Sequence, residues 1–189
     1  MAITRLTLVC HASTEAVRQT AFALDEPLDH RGAAAAAAAG KAIARSDQAW
    51  CGPSLRTRET AAALGLEPQI DAALDECDYG SWRGRRLAEL EAEHPAAIAA
   101  WVTDPAAAPH GGETINELLA RVDGWLTARA GRGDRTLAVT HASVIRAAVV
   151  AALRAPAQAF WQIDVAPLSQ TVLHERAGSW TLRATGLPS

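Results

Sequence analysis

Short apolar segments that alternate with helical segments constrain the fold of this chain more than any other sequence feature. Residues 3–9 alternate polar and apolar side chains, as a half-buried strand does, and residues 136–140 form a second strand that is apolar enough to be buried. Helical segments occupy much of the chain between and after these strands. This alternation predicts an α/β domain with three layers, α/β/α, around a central, mainly parallel sheet.

The remaining elements follow from the same periodicities and from turn residues. Ser54 predicts an N-cap for a helix through Leu64, because serine oxygens accept hydrogen bonds from free backbone N–H groups. Residues 113–130 have a helical stripe of apolar side chains that includes Trp125, so this residue is predicted to lie in the core. Trp101, in the predicted helix of residues 95–102, is also expected in the core. The other predicted helices span residues 32–45, 86–93, 95–102 and 143–153. The other predicted strands span residues 48–51, 68–70, 162–165, 171–174 and 180–183.

Length and charge limit what this chain can do. Its 189 residues are typical of one domain, so residues 1–189 are predicted to form a single domain. The net charge of -3 comes from 18 basic and 21 acidic residues. Nucleic-acid binding needs a clustered positive excess, so nucleic acid is not an expected partner. Every basic residue except Lys41 is arginine, which indicates either a genome habit or anion recognition.

The cysteines and the apolar segments indicate a cytoplasmic protein. The three cysteines show no CxxC spacing, so neither a disulfide framework nor a zinc site is predicted. No segment reaches the roughly 18 apolar residues that a membrane span needs. Residues 1–9 lack the apolar region of a signal peptide. We therefore expect reduced thiols, a cytoplasmic location and no membrane partner.

Two histidines follow two of the predicted strands. His11 comes directly after the first strand, and His141 comes directly after the strand of residues 136–140. Each is followed by Ala-Ser. Functional sites of α/β folds lie at the carboxyl ends of parallel strands. The two histidines therefore predict a site at this edge of the sheet.

Six short segments of the chain combine histidine, arginine, acidic or hydroxyl residues with glycine or proline turn residues or with apolar residues. They are residues 10–14 (CHAST), 25–32 (DEPLDHRG), 53–61 (PSLRTRETA), 74–84 (LDECDYGSWRG), 111–114 (GGET) with Arg121, and 139–146 (VTHASVIR). In this order, over nearly the whole chain, they resemble the motifs of the histidine phosphatase (phosphoglycerate mutase-like) superfamily. The segment around Glu76 is the most specific match, since it is close to the family's Leu-x-Glu-x-x-x-Gly-x-Trp-x-Gly.

The resemblance implies metal-independent hydrolysis of a small phosphorylated metabolite. His11 is implied as the nucleophile that becomes phosphohistidine, and Glu76 as the general acid and base. Arg56 is implied as the phosphate clamp, His141, if protonated, as a donor to another phosphoryl oxygen, and Thr14 as a further phosphate-binding residue. No cofactor is implied, and the sequence offers no cluster of metal ligands. Dimers are common in the superfamily, so a homodimer is considered.

The motifs depart from the family at the predicted phosphate site. Cys10 stands where the family has an arginine that holds a phosphoryl oxygen, and loss of one such donor costs on the order of 10²–10³ in rate. Ala12 and Ala142 replace the glycines after the two histidines, and Val17 replaces an asparagine of mutase-type members. Position 10 is retained in the predicted phosphate site. The arginines that could replace the missing one are Arg18, which we include in the predicted site, Arg83 and Arg146.

The retained His11 and Glu76 favour an active phosphatase, but alternatives stay open. One is a weak hydrolase for a less charged substrate, and another is an inactive homologue that binds a phosphorylated ligand or a partner protein. Mutase-type phosphoryl transfer is disfavoured because the segment between Glu76 and the second histidine is short. A thiolate nucleophile at Cys10 is disfavoured because the chain lacks a Cys-x5-Arg loop. Lid segments are expected within residues 77–112, where His110 is expected to be solvated.

Overall fold

The central strand of the sheet lies between a parallel and an antiparallel neighbour. The computed structural model describes residues 3–40, 43 and 45–187. The strands are β1 (Thr4–Cys10), β2 (Gln48–Cys51), β3 (Gln69–Ile70), β4 (Arg135–Thr140), β5 (Gln170–Arg176) and β6 (Ser179–Leu187). Across the described residues they form one sheet in the order β3-β2-β4-β1-β5-β6. The first four strands in that order pair in parallel, and β5 and β6 pair antiparallel.

Helices pack on both faces of this sheet. They are α1 (Glu15–Arg18), α2 (His30–Ala39), α3 (Leu55–Ala63), α4 (Leu87–Glu93), α5 (Pro95–Thr103), α6 (Ile115–Thr127) and α7 (Ala142–Leu153). Successive strand side chains point to opposite faces. Val9 and Val139 therefore pack with Leu64 beside α3, whereas Leu8 packs on the opposite face with Leu118 of α6. The predicted three-layer α/β fold with a mainly parallel sheet is confirmed.

A separate aromatic cluster lies beside the carboxyl ends of the strands. We use this name for Phe22, Trp82, Leu90, Ile98 and Trp101, which are buried together. The Phe22 N–H donates to the Arg85 carbonyl oxygen at 2.9 Å, which ties the loop after α1 to the segment before α4. The rings of Trp82 and Trp101 lie 5.5 Å apart. Trp101 is 7% exposed and Trp125 is 4% exposed, so both are core residues, as predicted.

Three local predictions were wrong. The helix predicted over residues 32–45 spans His30–Ala39, because the Asp29 side chain accepts from the Gly32 N–H and caps an earlier start. Residues 41, 42 and 44 lie outside the described residues. Residues 162–165 are not a strand; the Ile163 carbonyl accepts instead from Arg146 Nε at 2.8 Å. Ser54 precedes α3 but makes no side-chain cap, since its hydroxyl donates to Asp75 at 2.7 Å.

The expectation of a solvated His110 was also wrong. This side chain is 2% exposed, and its ring packs against those of Tyr79 and Trp82. Its Nδ1 accepts from the Gly112 N–H at 3.0 Å. His110 therefore anchors the loop that precedes α6. Among the described residues, no helix is long and apolar enough to cross a membrane.

Candidate active site

The pairing of β1 with β4 brings the two predicted histidines together. Cys10 lies opposite Thr140 at the carboxyl ends of these parallel strands, and the His11 N–H donates to the Thr140 carbonyl oxygen at 2.8 Å. The next residue of each strand end is a histidine. The rings of His11 and His141 lie 5.1 Å apart at an angle of 66°.

The His11 ring is held in a neutral form. Its Nδ1 lies 2.8 Å from the Ala12 carbonyl oxygen, so a hydrogen on Nδ1 donates there and the lone pair is left on Nε2. Burial, together with the positive charge of Arg56, lowers the pKa of His11 to about 4. At neutral pH this imidazole therefore carries a nucleophilic nitrogen.

The Glu76 carboxyl group is placed beside both histidines by its own loop and by α7. Its Oε2 lies 3.4 Å from His141 Nδ1. The Cys77 N–H donates to its Oε1 at 3.1 Å, and the Ser143 hydroxyl also donates to Oε1. Burial raises the pKa of Glu76 above its usual value, although the charge of Arg56 opposes this shift. The carboxyl group is thus suited to carry a proton at a pH where an exposed glutamate would not.

The loop that carries Glu76 is anchored by an arginine of α6. Arg121 Nε and Nη2 contact the Glu113 carboxylate at 2.8 and 2.7 Å. Arg121 Nη1 donates to the carbonyl oxygens of Ala73 and Asp75 at 2.9 and 3.1 Å. This pairing fixes the loop conformation and, through it, the position of the Glu76 carboxyl group.

Two buried side chains in the site carry nitrogen atoms that have no hydrogen-bond partner among the described residues. His141 is 0% exposed, and neither of its ring nitrogens makes a hydrogen bond within the described residues. Arg56 is 3% exposed; its Nη1 donates to the Leu24 carbonyl oxygen at 2.8 Å, but its Nε has no partner there. Buried donors without partners are costly, so such a pair indicates a place where a ligand accepts hydrogen bonds.

His141 is neutral in this pocket. Burial, together with the positive charge of Arg56, lowers the pKa of His141 well below its usual value. The condition attached to the predicted role of His141, that it be protonated, is thus opposed by its surroundings. A neutral imidazole still offers one N–H donor, and a bound anion would favour its protonated form.

Cys10 lies in the hydrophobic core and does not replace the phosphate-binding arginine that the family has at this position. It is 3% exposed and belongs to the core cluster with Leu6 and Leu8. Burial raises the pKa of its thiol to about 12, so a thiolate nucleophile is disfavoured. The positive charges of Arg146 and Arg56 act on this thiol in the opposite sense. Arg146 and Arg56 therefore supply positive charge near position 10, although they come from other segments of the chain.

The structure separates the other predicted phosphate-site residues. The Thr14 hydroxyl accepts from the Val17 N–H at 3.3 Å and caps α1, rather than facing an open site. The Arg18 side chain is half exposed and pairs with Glu15 at 3.6 Å. It is not among the residues that line the cavities beside Glu76. The position of Arg18 therefore does not support its inclusion in the predicted phosphate site.

Two cavities meet at Glu76. The polar cavity has a volume of about 250 Å³ and is lined in part by Arg56, Asp75 and Arg83. The apolar cavity has a volume of about 470 Å³ and is lined in part by His11 and Arg146. Two of the three candidate replacement arginines, Arg83 and Arg146, thus line cavities of the site.

The backbone accommodates alanine at positions 12 and 142, where the family has glycine. Neither Ala12 nor Ala142 is among the non-glycine residues with positive φ. The Ala12 N–H donates to Thr60 Oγ1 at 3.0 Å, and Ala142 begins α7. Alanine therefore occupies both positions without backbone strain.

The site also contains a possible set of metal ligands that the sequence did not reveal. Ligand atoms of His11, Glu76 and His141 all lie within 4.8 Å of one another. Two imidazoles and a carboxylate form a donor set that zinc accepts. The guanidinium of Arg56 lies 3.8 Å from the Glu76 carboxylate, and its positive charge favours an anion over a cation there.

Ser143 was missed in the sequence and contributes directly to the site. It lies on the first turn of α7, two residues after His141, where a helical side chain can reach the end of the neighbouring loop. The sequence signal was a hydroxyl residue in that turn. Its hydrogen bond to Glu76 depends on the tertiary approach of α7 to residues 75–77, which spacing alone does not give.

Comparisons with known proteins agree with this arrangement. A sequence profile of the histidine phosphatase superfamily (branch 1) matches residues 6–187. The chain is 31% identical over 175 residues to glucosyl-3-phosphoglycerate phosphatase of Mycolicibacterium vanbaalenii, covering 82% of this chain and 77% of that protein. It is 30% identical over 173 residues to adenosylcobalamin/alpha-ribazole phosphatase of Salmonella typhimurium, covering 85% of each.

A solved structure shows the same overall arrangement. A mycobacterial glucosyl-3-phosphoglycerate phosphatase in complex with VO3 superposes with a TM-score of 0.87 at 25% identity, covering 97% of this chain and 98% of that one. The relatives named above are phosphatases of small phosphorylated substrates, which supports a phosphatase at the level of the family. The resemblance inferred from the motifs is confirmed, and this chain belongs to the histidine phosphatase superfamily.

Proposed function

We propose that this protein hydrolyses small phosphomonoesters without a metal ion, through a phosphohistidine on His11. The observation that carries the proposal is that Arg56 Nε and both ring nitrogens of His141 are buried without hydrogen-bond partners among the described residues, beside a neutral histidine. A phosphoryl group offers acceptor oxygens that match these donors. The raised pKa of Glu76 adds a proton donor at the same place.

In the first step, Nε2 of His11 attacks the phosphorus atom. The bond from phosphorus to the ester oxygen breaks as the nitrogen–phosphorus bond forms. The Glu76 carboxyl group gives its proton to the departing oxygen, which leaves as a neutral alcohol. Arg56 and His141 donate to the phosphoryl oxygens and stabilise the charge that they carry in the transition state.

In the second step, water attacks the phosphorus atom of phospho-His11. The Glu76 carboxylate takes a proton from this water, so the acid of the first step is the base of the second. The nitrogen–phosphorus bond breaks, inorganic phosphate leaves, and His11 returns to its neutral form with Glu76 protonated. The cycle consumes one water and needs no other reactant.

Two other functions are considered: binding of a phosphorylated ligand by an inactive homologue, and mutase-type phosphoryl transfer. The cysteine at position 10 supports an inactive homologue that binds a phosphorylated ligand, because one expected donor is missing. Mutase-type transfer shares the first step but needs the phosphohistidine to be kept from water. The short segment between Glu76 and His141 argues against it. The retained His11 and Glu76 favour an active phosphatase over the binding protein, because binding alone needs neither a nucleophile nor a proton donor.

The proposal is tested by trapping the intermediate in the absence of metal. The protein, dialysed against EDTA, is expected to hydrolyse p-nitrophenyl phosphate at an undiminished rate. Rapid quenching with radiolabelled substrate is expected to leave an alkali-stable, acid-labile label on His11. A rate that falls on dialysis and returns with added Zn²⁺ would show that the three-residue ligand set holds a metal. A label absent during turnover would overturn the covalent route.

Replacement of Ser143 by alanine is expected to change the pH profile rather than abolish activity. The Ser143 hydroxyl donates to the Glu76 carboxylate and so lowers the pKa of that group. Its removal destabilises the ionised form and raises the pKa of Glu76. The basic limb of kcat/KM, where Glu76 loses its proton, then moves to higher pH. The acidic limb, set by His11 with its pKa of about 4, should stay in place.

The matched control is Ser179→Ala, which removes an exposed hydroxyl at the start of β6. Its profile should coincide with that of the wild type. A basic limb that stays in place or moves to lower pH in Ser143→Ala would refute the assignment of Ser143 as a positioning residue for Glu76.

A further inference from the structure

The apolar cavity beside His11 is larger than the polar cavity and has a different chemical character. It is enclosed by α1, the loop after it, α4, α5 and the 3-10 helix Ala157–Gln162. Its wall is mainly apolar and includes Val17, Phe22, Tyr79, Trp101, Val102 and Trp161. Its volume of about 470 Å³ lies in the range of small-molecule sites.

The wall of this cavity is built from aromatic rings that support one another. Trp101 packs edge-on against Trp161, with ring centroids 4.4 Å apart, and against Phe22 at 5.5 Å. Tyr79 contacts Phe22 at 4.8 Å. Rings packed in this way hold a fixed shape, so the cavity is formed before a ligand arrives.

The mouth of the apolar cavity exposes two valines to solvent. Val17 is 42% exposed and Val102 is 41% exposed. They lie on α1 and α5, on separate segments of the chain, yet both line the same cavity. Exposed apolar side chains that converge on a concave wall indicate a surface that is covered by a ligand.

The ester oxygen of a bound substrate must face Glu76, which lines both cavities. The polar cavity presents the carboxylates of Asp25, Asp75 and Asp78 and is the smaller of the two. The apolar cavity instead offers room and apolar contacts directly beside His11. The alcohol part of an apolar ester is therefore stabilised in the apolar cavity and not in the polar one.

We infer that the preferred substrates are phosphomonoesters whose alcohol carries an apolar group of one or two aromatic rings. This inference rests on the proposed phosphatase function and names its substrate class. The phosphoryl group lies against His11, Arg56 and His141, and the apolar group fills the cavity between Val17 and Val102. The charged residues of that wall are Glu76, Glu91 and Arg146.

The test compares esters that differ in apolar area but share a primary alkyl leaving group. The substrates are 2-phenylethyl phosphate, ethyl phosphate and 3-phosphoglycerate. Burial of one ring is expected to make kcat/KM for 2-phenylethyl phosphate about 30- to 100-fold larger than for ethyl phosphate. 3-Phosphoglycerate, whose alcohol has no apolar group, is expected to be a poorer substrate than 2-phenylethyl phosphate. Equal values for the phenylethyl and ethyl esters, or a preference for 3-phosphoglycerate, would overturn the inference.

Val102→Asp places a charge at the exposed mouth of the cavity and should not disturb the core. It is expected to lower kcat/KM for 2-phenylethyl phosphate about tenfold and to leave ethyl phosphate nearly unchanged. Activity on ethyl phosphate reports that the variant is folded. Leu153→Asp is the matched control, since Leu153 is 55% exposed at the end of α7 and lines neither cavity beside Glu76. Equal losses for both esters in Val102→Asp would overturn the assignment of this cavity.

A binding measurement separates the substrate class from catalysis. The His11→Ala variant is titrated calorimetrically with 2-phenylethylphosphonate and with ethylphosphonate, neither of which can be hydrolysed at its carbon–phosphorus bond. Tighter binding of the phenylethyl compound supports the cavity assignment even if the wild type hydrolyses none of the esters, a result that would overturn the phosphatase instead. Equal affinities for the two phosphonates would refute the inference while the phosphatase stands on its own assays.

Discussion

Replacement of His11 by alanine is expected to lower kcat/KM for p-nitrophenyl phosphate by on the order of 10⁴-fold or more, because the nucleophile of the covalent route is lost. The neighbouring donors, Arg56 and His141, stay in place, so phosphate binding should persist in this variant. The measurement is steady-state hydrolysis beside calorimetric binding of inorganic phosphate. Loss of turnover with retained binding distinguishes a missing nucleophile from a collapsed pocket.

The matched control is His174→Ala. His174 lies on β5 opposite Arg5, near the amino end of β1 and so at the far edge of the sheet from His11. It should retain the wild-type rate. Equal rates for His11→Ala and the wild type would remove His11 from the mechanism. Binding of phosphate without turnover in the wild type as well would favour the inactive binding protein.

Replacement of Glu76 by glutamine is expected to lower kcat by about 10²- to 10⁴-fold, the usual contribution of a general acid or base. The loss should be largest for alkyl phosphates, whose leaving oxygen needs a proton. p-Nitrophenyl phosphate has a better leaving group and should still phosphorylate His11. Hydrolysis of that intermediate also needs Glu76, so a burst of p-nitrophenol followed by slow turnover is expected in rapid-mixing experiments.

Glu93→Gln serves as the control for this experiment, since Glu93 is an exposed residue at the end of α4. It should behave as the wild type. A Glu76→Gln variant that loses the same factor with both classes of ester and shows no burst would contradict the assigned role. The charge change would then act on binding, through the contact of Glu76 with Arg56.

The order of elements and the main site residues were readable from local patterns. Two strands that end in histidines predicted a site at one edge of a parallel sheet, and the structure brings His11 and His141 together there. The motif around Glu76 was readable because its spacing is specific. Boundaries were less accurate: the cap at Asp29 moved the start of α2, and the strand predicted at residues 162–165 does not form.

The arrangement of the charges needed the tertiary structure. Arg18, Arg83 and Arg146 were all candidates for a replacement cation by motif proximity, and Arg18 was included in the predicted site. The fold pairs Arg18 with Glu15 at the surface and places Arg146 in the cavity wall beside His11. Likewise, the hydrogen bond from Ser143 to Glu76 joins two segments that are distant in the chain. Sequence spacing carries no information on such contacts, because they depend on how helices pack over the strand ends.

By itself, the sequence determined the α/β class, the family and the identity of the two histidines, since periodicity and short motifs are local properties of the chain. Only the tertiary structure decided the protonation of the site and the shape of its two cavities. Burial sets the pKa values of His11, Glu76 and His141, and burial is a property of the packed molecule. The apolar cavity arises in the same way, where α1, α4 and α5 close around a cluster of aromatic rings.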